Sequence, residues 1–76
     1  MGENRTFKVG NTAVFLARSG NWSVQGPRDI DWYITRTLRQ ALKRACYVER
    51  IDGAASESVV VRAACDRARW AWEGRP

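Results

Sequence analysis

The stretch from Asp29 to Arg50, DIDWYITRTLRQALKRACYVER, carries the strongest periodic signal in the chain and decides how the rest is read. Ile30, Ile34, Leu38, Ala41, Leu42, Ala45 and Val48 recur at the three-and-four spacing of one helical face. Asp29 suits an N-cap, and Asp31 suits the positive end of a helix dipole. Gly53, directly after Asp52, is a natural terminator. The spacing therefore predicts a helix over 29–51.

Upstream, residues 6–26 read as a β-hairpin or meander. Thr6 to Val9 is a short apolar-alternating run closed by Gly10-Asn11, and Ala13 to Arg18 is a stronger one. The glycine-containing turn Ser19-Gly20-Asn21 leads into Trp22-Ser23-Val24-Gln25, whose alternation puts Trp22 and Val24 on one face. Gly26-Pro27 stops the sheet, because proline cannot donate to a ladder.

Downstream, residues 56–73 read as a second helix, capped by Ser56 or Ser58 and ended by Gly74 and Pro76. A strand over Ser58 to Ala64, pairing with Tyr47 to Ile51, is the rival reading, favoured by the triple valine. The alanines and arginines that follow favour the helix.

The expected fold is a single small α+β domain: a two- or three-stranded antiparallel β-sheet packed on a long α-helix, with a second C-terminal helix. The core expected from these patterns comprises Phe7, Val14, Leu16, Trp22, Val24, Ile30, Ile34, Leu38, Ala41, Ala45, Val48, Val60, Ala64, Ala68 and Trp72. A 76-residue chain has a thin core, so a homodimer is expected to cover what remains.

Composition narrows function. The chain has no histidine and two cysteines, too few ligands for a tetrahedral zinc site, and no imidazole base. Its eight acids are scattered, and the glycines stand singly at turns, so neither an acid–base pair nor a phosphate-cradling loop is visible. Cys46 and Cys65 are expected to be reduced. An enzyme is not expected, and no cofactor is implied. The chain shows neither a signal-type apolar stretch at its start nor an apolar run long enough for a membrane span, so a cytoplasmic protein is expected.

Thirteen Lys and Arg against eight Asp and Glu give a formal charge of +5. Projected on the helix read over 29–51, the face opposite the apolar stripe carries Trp32, Arg36, Arg39, Lys43, Tyr47 and Arg50, with Arg44 at its border. No acid lies between Trp32 and Val48. A merely solvated face mixes both signs; this one pairs cations for phosphates with aromatic rings for stacking. The expectation is a non-enzymatic protein that binds DNA or RNA through this face. On the second helix Arg62, Asp66, Arg69 and Glu73 alternate in sign, an ordinary solvated pattern. Of its two tryptophans, Trp72 is expected in the core and Trp70 at a protein contact.

The order strand, helix, glycine turn, helix from Asn21 onward resembles that of ribbon-helix-helix repressors. The resemblance implies Asn21, Ser23 and Gln25 as groove-reading side chains. The longer first helix and the added N-terminal strands depart from that family, and the chain is not assigned to it. The alternative expectation is a small inhibitor of the phage or mobile-element kind, comparable in size to anti-CRISPR proteins. Its basic face would dock on an acidic surface of a host nucleic-acid-handling complex.

Overall fold

The computed structural model describes residues 6–73. Four strands, β1 (Phe7–Val9), β2 (Thr12–Leu16), β3 (Trp22–Gln25) and β4 (Trp32–Thr35), are followed by two helices, α1 (Leu38–Val48) and α2 (Gly53–Glu73). The strands form one antiparallel sheet in the order β1-β2-β3-β4, so sequence neighbours are spatial neighbours throughout. The architecture is α+β, as expected, but the sheet has four strands rather than two or three.

The fourth strand comes from the stretch read as the start of the long helix. Trp32, Tyr33, Ile34 and Thr35 are all aromatic or β-branched, residues that lose rotamer freedom in a helix and pack well on a pleated surface. The helix begins only where a cap permits it. Thr37 is extended (φ −124°, ψ 155°), and its hydroxyl accepts from the Gln40 amide at 3.1 Å. The Gln40 side chain accepts in return from the Arg36 amide at 3.3 Å, a close variant of the capping box. Asp29 is therefore not a helix cap. Asp31 closes the β3–β4 turn instead: its carbonyl accepts from the Gly26 amide at 2.7 Å, and its buried carboxylate takes both Nε and Nη2 of Arg28. That guanidinium holds the Asp31 carboxyl below the usual carboxylate range.

Helix α1 ends in a Schellman motif. The Ile51 amide reaches the Cys46 carbonyl at 2.7 Å and the Arg50 amide reaches the Tyr47 carbonyl at 3.1 Å. Arg50 occupies the left-handed position with φ 61°. Helix α2 begins at Gly53, three residues before the expected Ser56, and runs unbroken through the segment for which a strand was the rival. The expected stop at Gly74 and Pro76 lies outside the described residues.

The core lies between one face of the sheet and the helices. Phe7, Val9, Val14, Trp22 and Val24 meet Ala41, Leu42, Ala45 and Cys46 of α1 and Ala63 of α2. Phe7 also stacks on Trp70, with ring centroids 4.7 Å apart. Burial of Leu16, Ile30, Ile34 and Trp72 was expected, yet these side chains are 50%, 73%, 62% and 69% exposed. Ala64 and Ala68 are exposed as well. The tryptophan assignment is reversed: Trp70 packs on the sheet and Trp72 faces outward. Ile34 falls on the outer face because β4 alternates; Tyr33 and Thr35 take the helix side, and Trp32 and Ile34 the other. The outer face carries Lys8, Ala13, Gln25 and Trp32 in one row and Phe15, Ser23 and Ile34 in the next. Interior strand β3 pairs on both sides, so Asn21, Ser23 and Gln25 do not form a free two-stranded ribbon.

The strained cap gives a direct test. A non-glycine residue at the left-handed position costs about 1–2 kcal/mol, of which the greater freedom of unfolded glycine offsets roughly 0.5–1 kcal/mol. Arg50→Gly is expected to raise stability by about 0.5–1 kcal/mol in urea unfolding. A loss of stability would show that the Arg50 side chain contributes more to the fold than its backbone costs.

Candidate nucleic-acid interface

Thr37 sets the phase of α1, and that phase divides the helix. Ala41, Leu42, Ala45 and Cys46 turn inward; Arg39, Lys43 and Tyr47 form one outward row, and Gln40 and Arg44 the next. The expected cationic side of the helix thus exists from Arg39 to Tyr47. Arg36 lies in the β4–α1 connection and Arg50 just past the helix end. Trp32 is separated from them: it stands on the outer face of the sheet, away from α1, and is 60% exposed.

Two of the cations share one carboxylate. Lys43 Nζ donates to Glu57 Oε1 at 2.6 Å, and Arg39 Nη2 donates to Oε1 at 3.1 Å and Oε2 at 3.2 Å. Both partners and Glu57 remain solvent-accessible. The Lys43 hydrogen bond is the largest influence on Glu57, opposed by desolvation and aided by Arg39. Together they hold its carboxyl below the usual range. One acid thus balances one of two positive charges and fixes where both side chains lie. Glu57 is the element that reading the sequence missed. It sits on a different helix, 14 and 18 positions from its partners, so no local spacing reveals it.

Arg44 is held differently. Its guanidinium carbon lies 4.6 Å from the ring centroid of Tyr33 and 5.4 Å from that of Tyr47. The two rings set the orientation of the cation without neutralising it. Tyr33 becomes part of the surface through its position on β4. Among the described residues, no carboxylate lies within ion-pair distance of Arg36, Arg44 or Arg50. Tyr47 is 70% exposed.

Between the end of α1 and the start of α2 a cleft is lined by Lys43, Tyr47, Arg50, Asp52, Ser56 and Glu57. A second recess beside it is bounded by Thr35, Arg39, Gln40, Lys43, Arg44 and Tyr47. The two share Lys43 and Tyr47 and so form one continuous corrugated surface with Arg44 on its rim. Trp70, expected at a partner contact, lies instead against Phe7.

Cys46 is buried, Cys65 is exposed, and the two are not bonded. Among the described residues, no group of His, Cys, Asp and Glu side chains comes together as a metal site, and no helix is long and apolar enough to cross a membrane.

The lowered Glu57 carboxyl sets a pH dependence. Its folded value lies below its unfolded one, so the triad's contribution is present above the unfolded value and is lost as pH falls through the folded value. In an NMR titration, the Glu57 side-chain midpoint is expected to rise in Lys43→Met, with a smaller rise in Arg39→Met. An unchanged midpoint in Lys43→Met would show that the ion pair does not persist in solution. No family model, curated protein or solved structure matches this chain.

Proposed function

We propose that this protein binds DNA or RNA through the outward side of α1, with Arg39, Lys43 and Arg44 against phosphates and Tyr47 available to stack on a base or sugar. The observation that carries this reading is the excess of positive charge around a guanidinium held between two rings. Glu57 offsets part of that charge, and Arg44 and Arg50 have no carboxylate partner among the described residues. Preset side chains lose less entropy on binding, and phosphate neutralisation supplies the salt-dependent affinity typical of such sites. Arg50 supports the same reading. A position that favours glycine is held by a cation facing the cleft, and strained backbone of this kind clusters at functional sites. In this reading the role is binding rather than catalysis, and the protein acts in the cytoplasm.

A second reading is supported by a different surface. Trp32, Ile34 and Ile30 are large, apolar and exposed on or beside the sheet's outer face, a chemistry suited to a protein partner. Combined with the basic side of α1, it fits a small inhibitor that docks on a host nucleic-acid-handling complex.

Fluorescence anisotropy with single- and double-stranded DNA and RNA oligonucleotides, over a range of salt concentrations, tests the first reading. Affinity is expected to fall linearly in a log–log plot. Lys43→Glu with Arg44→Glu is expected to weaken binding and flatten the slope by about one for each phosphate no longer neutralised. Glu57→Gln removes the acid from the Arg39–Lys43 cluster and is expected to tighten binding. Absence of binding at low salt would reject a nucleic-acid ligand. Binding unaffected by all three substitutions would reject this surface.

A further inference from the structure

We propose that two copies of this protein pair through the free edge of β4, forming an antiparallel dimer with its two-fold axis at Tyr33. Among the described residues, strand β4 hydrogen-bonds to β3 alone, so its other side presents backbone groups that none of them pairs. Proteins protect such edges with lysine, proline, bulges or a covering segment. Trp32-Tyr33-Ile34-Thr35 contains no charge and no proline, and its pairing with β3 is in uninterrupted register. Its two outer-face side chains, Trp32 and Ile34, are 60% and 62% exposed.

The register identifies which groups are free. The Gly26 amide donates to the Asp31 carbonyl, which makes Gly26 and Asp31 a hydrogen-bonded pair one step beyond Gln25 and Trp32. Antiparallel pairs alternate between bonded and non-bonded. Val24–Tyr33 and Trp22–Thr35 are therefore bonded, while Gln25–Trp32 and Ser23–Ile34 are not. The amide and carbonyl of Trp32 and of Ile34 consequently point away from β3, out of the sheet edge.

These groups are self-complementary. When β4 of a second copy runs antiparallel with Tyr33 opposite Tyr33, Trp32 of each copy faces Ile34 of the other. Each of these cross-pairs can then exchange both backbone bonds. On the outer face the apolar side chains fall together as cross-strand Trp–Ile pairs. On the helix side the two tyrosines meet as a non-bonded pair, with Cα atoms about 4.5 Å apart.

Charge also favours this orientation. Arg36 follows the strand at one end, and Asp29 lies in the turn before its other end; neither has an ion-pair partner among the described residues. Antiparallel pairing brings Arg36 of each copy beside the Asp29 turn of the other, at both ends of the joint. A parallel pairing would set Arg36 beside Arg36.

The strand is short, so the interface covers less than the roughly 800 Å² per partner of a standard one, and the dimer is expected to be weak. Sedimentation equilibrium from about 10 µM to 1 mM spans the affinity such a joint supports. A monomer–dimer equilibrium is expected, and Ile34→Lys, at an exposed position, is expected to remain folded by circular dichroism and shift the dissociation constant upward by about tenfold or more. Arg36→Asp is expected to weaken pairing, and adding Asp29→Arg to restore it. The register is read by a disulfide: Tyr33→Cys with Cys65→Ser is expected to form a covalent dimer on air oxidation, because the Cα spacing of a non-bonded pair suits the bond. Lys8→Cys with Cys65→Ser, at the opposite edge of the sheet, is expected to stay monomeric. A monomer throughout the range, a dimer indifferent to Ile34→Lys, or equal cross-linking at both edges would each overturn the proposal.

Discussion

The seating of α1 on the meander is the interaction on which the other parts depend. Ala41 and Ala45 are fully buried, and their small side chains let the helix lie close on Val14 and Val24. Leu42, one turn along the same face, is 1% exposed and stands where all three layers converge. Phe7, Val9 and Ala63 border it on one side, and Val60 and Ala64 on the other. A protein of this size has no second core to compensate if that seating fails. The same seating determines the outward side, because a helix whose inner positions are fixed has no rotational freedom left. Arg39, Lys43 and Tyr47 share a row because Ala41, Leu42 and Ala45 share the opposite one.

The parts of this arrangement that local chemistry dictates could be read from the sequence. The turns at Gly10, Ser19-Gly20-Asn21 and Gly26-Pro27 bound the first three strands, and the apolar spacing from Leu38 to Val48 marks the helix that forms. The error lay in extending that spacing backward. Ile30 and Ile34 fall in phase with Leu38, yet the same residues satisfy a period of two with Trp32. A helix period and a strand period agree at every fourth position. What separates them is composition and capping: an aromatic and β-branched run, then Thr37 with Gln40 three residues on. That Thr-x-x-Gln signal stood in the sequence and outweighs the acids at 29 and 31, of which Asp31 closes the turn. Placing the helix start at Asp29 also put Trp32 on the wrong element and so joined two surfaces that the fold keeps apart.

The candidate surface was legible in its cations and in Tyr47. Their number and grouping follow from the sequence, but their state depends on residues distant along the chain. Glu57 comes from the second helix and Tyr33 from the last strand, and neither position can be assigned before the tertiary arrangement is known. The two constraints differ physically. An exposed ion pair contributes little to stability, so Glu57 acts chiefly by restricting where Arg39 and Lys43 point. The rings around Arg44 orient it while leaving its charge available. One surface therefore holds cations that are partly balanced beside a cation whose charge no described carboxylate offsets.

The strand order bears on how the molecule assembles. Every neighbouring pair in the sheet is joined by a short connection, and α1 follows directly on the last strand, so the early pairings are local and their loop-closure cost is small. The stacking of Phe7 on Trp70 is of the opposite kind, joining the first strand to the last helix. During synthesis the sheet and α1 can close before α2 has emerged, and α2 then arrives on a surface already formed.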